Sequence, residues 1–114
     1  MIRVAGLAVL ASLAMPAMAF AACDSGMAAP TVPDGTKATQ DQLVAAGQQV
    51  KAFNAAVVAY QSCLEKEEAD ATAAQTETPD TKKARVKKFN EAGDAAQKAG
   101  EAFNAQVRAF KAKG

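Results

Sequence analysis

Two residues carry most of the reactive chemistry in this chain of 114: Cys23 and Cys63. Two thiols in a small domain that reaches an oxidising compartment pair as a disulfide. A bridge closing that loop stabilises the fold by about 4 kcal/mol in the chain-entropy account. Two other chemistries compete. Cys23 is a candidate for lipid attachment, which would leave Cys63 as a thiol, although Phe20-Ala21-Ala22 puts an aromatic where such sites carry an aliphatic residue. The two thiols could also serve redox exchange, but there is no Cys-x-x-Cys and no neighbour that obviously lowers a thiol pKa.

Other catalytic chemistry is thinly supplied. The chain contains no histidine, which excludes Ser-His-Asp and Cys-His nucleophile systems and His-based metal sites. Its glycines are scattered and form no phosphate-cradling loop. The acidic run from Glu65 to Asp80 lacks the alternating ligands and central glycine of a calcium loop. A carboxylate pair needs a cleft to shift its pKa before it can do acid–base work. The expectation is a non-enzymatic protein with no cofactor and no metal.

The opening residues read as a leader. Arg3 precedes an apolar run from Val4 to Met15, interrupted by Gly6 and Ser12 and followed by Pro16 and small residues. That is the layout of a cleavable secretory signal peptide, too short to span a bilayer. Ala17-Met18-Ala19 and Ala19-Phe20-Ala21 both fit the cleavage pattern, and cleavage after Ala21 is favoured. Net charge is +1 with Arg3 included, so nothing in the total points to nucleic acid. Half of the residues are apolar, but alanine dominates them and aromatics reach only 5%. The core is therefore thin, because a buried methyl contributes little beside a Leu or Phe.

The elements that must position the cysteines follow from periodicity. Residues 22–38 hold Gly26, Pro30, Pro33 and Gly35 without an apolar period, and are expected to form an extended strap. Pro33-Asp34-Gly35 reads as a turn, with the glycine available for a positive φ. Thr39 and Gln42 form a capping box, with Asp41 in the first turn. Leu43, Ala46, Val50, Phe53, Val57, Tyr60 and Leu64 then recur at alternating steps of three and four, the mark of a helical seam. This predicts a first helix over 39–70, a connection over 71–78 and a second helix over 79–112 that begins at Thr78-Pro79. The second seam reads Val86, Phe89, Gly93, Ala96, Gly100, Phe103, Val107 and Phe110.

Two long helices with a short connection fold back antiparallel. The expected fold is all-α: a coiled-coil-like two-helix hairpin with an extended N-terminal segment tied to the first helix by a disulfide. Folding near Ala74 sets bulky Val50, Phe53 and Val57 against small Gly93, Ala96 and Gly100, and Phe103 near Ala46. From Thr39 to Cys63 the helix rises roughly 36 Å, and the strap can span up to ~50 Å, so it can run back along the helix. Acidic Glu65, Glu67, Glu68, Asp70, Glu77 and Asp80 precede basic Lys82, Lys83, Arg85, Lys87 and Lys88, and the hairpin sets these blocks side by side. The repeated Phe-Asn pairs at Asn54, Asn90 and Asn104 are mainly one heptad filled more than once; the sharper alternative is that their amides fix the register.

Cys23, Pro30-Thr31-Val32-Pro33-Asp34-Gly35, Ala38-Thr39, Val50-Lys51, Tyr60-Gln61-Ser62-Cys63-Leu64 and Phe103 through Lys111 together resemble a family of small exported proteobacterial proteins of uncharacterised function. The resemblance covers essentially the whole chain after the leader. It implies pairing of the two cysteines and brings no activity with it. Phe53 and Phe110 stand where the family pattern has Tyr. The expected role is a structural or protein-interaction one in the periplasm or envelope, through a second copy or a helical partner. The alternatives are a chaperone-like binding module for an apolar client, presenting Phe53, Tyr60, Phe89 or Phe103, and a lipoprotein anchored through Cys23.

Overall fold

The computed structural model describes Cys23 and residues 28–114. The leader reading of residues 1–21 lies outside the described residues. Two helices in sequence, α1 (Gln40–Ala73) and α2 (Pro79–Ala112), make up the described fold, which contains no strand. They pack as an antiparallel hairpin.

Each helix starts where its first turn is satisfied. Thr39 caps α1, its hydroxyl accepting from the Gln42 N–H at 3.2 Å while the Gln42 side chain accepts from the Thr39 N–H at 2.9 Å. Thr78 caps α2 through a reciprocal pair with Thr81, and Pro79 fills a first-turn position that needs no donor. The α1 helix runs past residue 70 to Ala73, because Ala71, Thr72 and Ala73 present nothing that breaks a helix. It stops in a Schellman arrangement: Thr76 N–H donates to the Ala71 carbonyl at 2.9 Å and Gln75 N–H to the Thr72 carbonyl at 3.2 Å. Gln75 takes the left-handed conformation this requires, at φ 58°.

The hairpin core is small. Phe53, Val57 and Ala99 form its buried centre, with Ala92, Ala95 and Ala96 packed around them. Along α1 the whole expected seam is buried: Leu43, Ala46, Val50, Phe53, Val57, Tyr60 and Leu64. Along α2 the expected seam is half-buried at Phe89, Gly93, Ala96, Gly100, Phe103, Val107 and Phe110, and the fully buried residue is Ala99. Val86 is 47% exposed, and a Cβ on Gly100 would meet nothing within 4 Å. Arg85, Ala92, Ala99 and Gln106 also turn inward, beside Phe89, Ala96, Phe103 and Phe110.

The turn expected at Pro33-Asp34-Gly35 forms, but without the positive φ expected of its glycine. Asp34 accepts backbone donors from Lys37 and Ala38 and, through its carboxylate, from Thr36. No glycine among the described residues has a positive φ. Gly35 is needed for a different reason: a Cβ there would run into the Gln106 carbonyl and stand 3.0 Å from the Phe110 nitrogen.

Candidate interaction site

Three rows of α1 divide its environment. The buried seam is flanked on one side by Gly47, Asn54, Gln61 and Glu68, which fall a heptad apart and face α2. Gly47 receives the end of the Phe103 ring, Gln61 donates to the Phe89 carbonyl at 3.2 Å, and Glu68 meets Lys82 at 3.6 Å. On the other side lie Ala56 and Cys63, facing the strap. Cys63 is bonded to Cys23 with their Cα atoms 5.8 Å apart, so the strap is tied to α1 across 40 residues of sequence.

The strap is held at its other end too. Gly35 N–H donates to Gln106 Oε1 at 2.8 Å, and the Lys113 ammonium donates to the Ala38 carbonyl at 2.9 Å while lying 4.8 Å from the Phe110 ring centroid. The open end of the hairpin is thus closed by the turn, and the covalent tie lies towards its closed end. Neither glutamine was singled out by periodicity, since each sits beside the seam and looks like solvated surface. Asn90 and Asn104 are exposed, and Asn54 Oδ1 is buried without a partner. Register is pinned by Gln61 and Gln106 together with the glycines opposite, rather than by the asparagine amides. Gly93 makes room for one of them: its Cβ would stand 3.2 Å from Gln61 Nε2.

A groove of about 400 Å³ opens beside the disulfide, floored by Phe53, Val57 and Tyr60, walled by Ala92 and Ala95 and edged by Lys88 and Glu91. Towards the closed end, Leu64, Glu65, Glu68, Arg85, Val86 and Phe89 line a smaller cavity of about 170 Å³. Arg85 reaches Glu77 at 2.7 Å with its side chain only 10% exposed. Hydrogen bonding from Arg85 holds the Glu77 carboxyl below the usual glutamate value. The bond from the Thr36 hydroxyl does the same for Asp34. Between the two charge blocks, Lys82–Glu68 joins α2 to α1 and Arg85–Glu77 joins α2 to the connection; Lys66–Asp70 and Lys87–Glu91 pair within one helix.

The outer face of α1 is the least charged surface of the hairpin. Between Leu43 and Leu64 the only ionisable charge is Lys51, and Val44, Ala45, Ala52, Ala55, Val58 and Ala59 all stand exposed. The same face also carries Gln48, Gln49 and Ser62, so it is low in charge rather than wholly apolar. By contrast, α2 carries Lys87, Glu91, Asp94, Lys98, Glu101 and Arg108 outward. No helix among the described residues is long and apolar enough to cross a membrane, and none of their acidic or sulfur side chains cluster as a metal site would require.

These features define a class: a two-helix hairpin strapped by a disulfide, with one charged helix and one whose outer face is low in charge. Compared with models of protein families, with curated proteins and with solved structures, the chain matches none of them.

Proposed function

We propose that this chain is an exported, non-catalytic protein of the periplasm or envelope that works by protein–protein contact through its hairpin. The observation that carries this reading is the open outer face of α1, where Val44 is 53% and Val58 61% exposed along a stretch with one charge. Lys51 separates the two valines on their row, so the face offers apolar and charged contact together. The compartment is argued from two features together: the leader-like residues 1–21 and a disulfide that a reducing cytosol would not sustain. The bond to Cys63 also occupies the sulfur through which a lipid anchor would attach, which counts against the anchored alternative.

A photo-reactive residue placed at position 58, with position 98 on the outer side of α2 as control, tests the contact reading in cells. Adducts from 58 and none from 98 are expected. Equal labelling at both, or none at 58, overturns it. Intact mass tests the compartment: the protein recovered from the envelope should lack residues 1–21 and hold both cysteines oxidised, and retention of either the leader or two thiols refutes export.

The groove beside Cys23 favours a second reading, a chaperone-like module taking an apolar segment over Phe53, Val57 and Tyr60. Strong binding of an environment-sensitive dye by the native protein, weakened when Glu91→Trp at the exposed edge fills the mouth, would favour it. A native protein that ignores the dye removes it.

A further inference from the structure

The outer row of α1 has an internal symmetry. Lys51 lies one heptad before Val58 and Glu65 one heptad after it, so all three share a helix face. Each charge stands about 10 Å along the axis from Val58, on opposite sides. Neither Lys51 nor Glu65 enters any ion pair found among the described residues, whereas neighbouring Lys66 is held by Asp70 at 2.8 Å. Beside Val58 on this face, Ala55 and Ser62 are small enough for a second helix to approach closely.

We infer that this face is the interface of an antiparallel homodimer, with Val58 on its two-fold axis. Two copies related by that axis set Lys51 of each chain beside Glu65 of the other, forming the same ion pair twice. A self-complementary charge pattern about one apolar centre fits a second copy of this chain better than an unrelated surface. The strip from Val44 to Glu65 is roughly 30 Å long and one helix wide, which is small for a stable interface. The dimer therefore dissociates at micromolar concentrations. This inference rests on the contact reading above and adds the identity of the partner.

Sedimentation of the oxidised mature protein from roughly 1 to 200 µM at low salt tests it. The expected result is a monomer–dimer equilibrium whose midpoint rises about tenfold in Lys51→Glu and in Glu65→Lys. The double variant Lys51→Glu/Glu65→Lys exchanges the two signs and should restore the wild-type midpoint. All three residues are exposed, and unchanged circular dichroism of each variant confirms that the fold is kept. A wild-type monomer across the range overturns the inference, as does a dimer indifferent to the single changes or one that the double change fails to rescue. If position 58 instead cross-links to a different protein, the contact reading survives and the homodimer does not.

Discussion

The ring of Phe103 ends against Gly47: its Cζ lies 2.9 Å from where a Cβ on that glycine would stand. One bulky residue of α2 thus seats in the one gap that α1 leaves on its α2-facing row. Gly100 also lies mid-helix, yet it faces open space. Replacing each by alanine should give opposite signs. Gly100→Ala gains about 0.5 to 1 kcal/mol from reduced backbone freedom. Gly47→Ala makes the same local gain but pushes the ring out of its seat, and a net loss of about 1 kcal/mol is expected. Urea denaturation of both variants checks the pair, and equal effects would contradict the described packing.

Breaking the Cys23–Cys63 bond by Cys63→Ser should cost about 4 kcal/mol, a large share of what a hairpin with so few buried large side chains can hold. The loss is measured as the fall in unfolding midpoint, with the reduced wild-type protein as a second route to the same state. A change under about 1 kcal/mol would mean that the strap stays in place without its covalent tie, through Gly35 and Lys113 alone.

At the closed end, Gln75 holds φ 58°, a region that costs an ordinary side chain about 1 kcal/mol relative to glycine. Gln75→Gly should raise stability by up to about that amount, less the added freedom of the unfolded chain. Thermal unfolding reports it. Destabilisation would show that the Gln75 side chain contributes more than its backbone strain costs.

Acid should weaken the fold through Glu77 and Asp34. Both are held below their ordinary values, first by hydrogen bonds from Arg85 and from Thr36 respectively. A carboxyl whose pKa is lower folded than unfolded contributes stability that is complete above its unfolded value and is lost as pH falls through its folded one. With no histidine in the chain, the melting temperature should stay nearly level from about pH 5 to 7 and decline below about pH 4. In Glu77→Gln the decline should be shallower, as measured by melts across that range.

Much of the architecture was legible because it depends on local pattern. The caps at Thr39 and Thr78 are sequence features read within four residues, and the α1 seam is a period of Leu, Val and aromatic residues that stands out from its surroundings. The α2 seam was harder for a physical reason. Alanine and glycine occupy nearly every candidate position from Ala92 to Gly100, so hydrophobicity cannot say which row turns inward. The glutamines that pin the register were illegible for a related reason: Gln61 and Gln106 differ from Gln48 or Gln97 only in what stands across from them.

The sequence by itself determined two helices, their starts, an antiparallel return and a pair of cysteines within reach of each other. Those follow from backbone hydrogen bonding, turn chemistry and chain length, which act over a few residues. Only the tertiary structure decided that Gly35 in its turn serves close approach rather than a positive φ, that Ala99 is the residue α2 buries most fully, and that Val44 and Val58 of α1 stand exposed. Each depends on which residues of separate segments meet in space, and that meeting has no signature in any one segment.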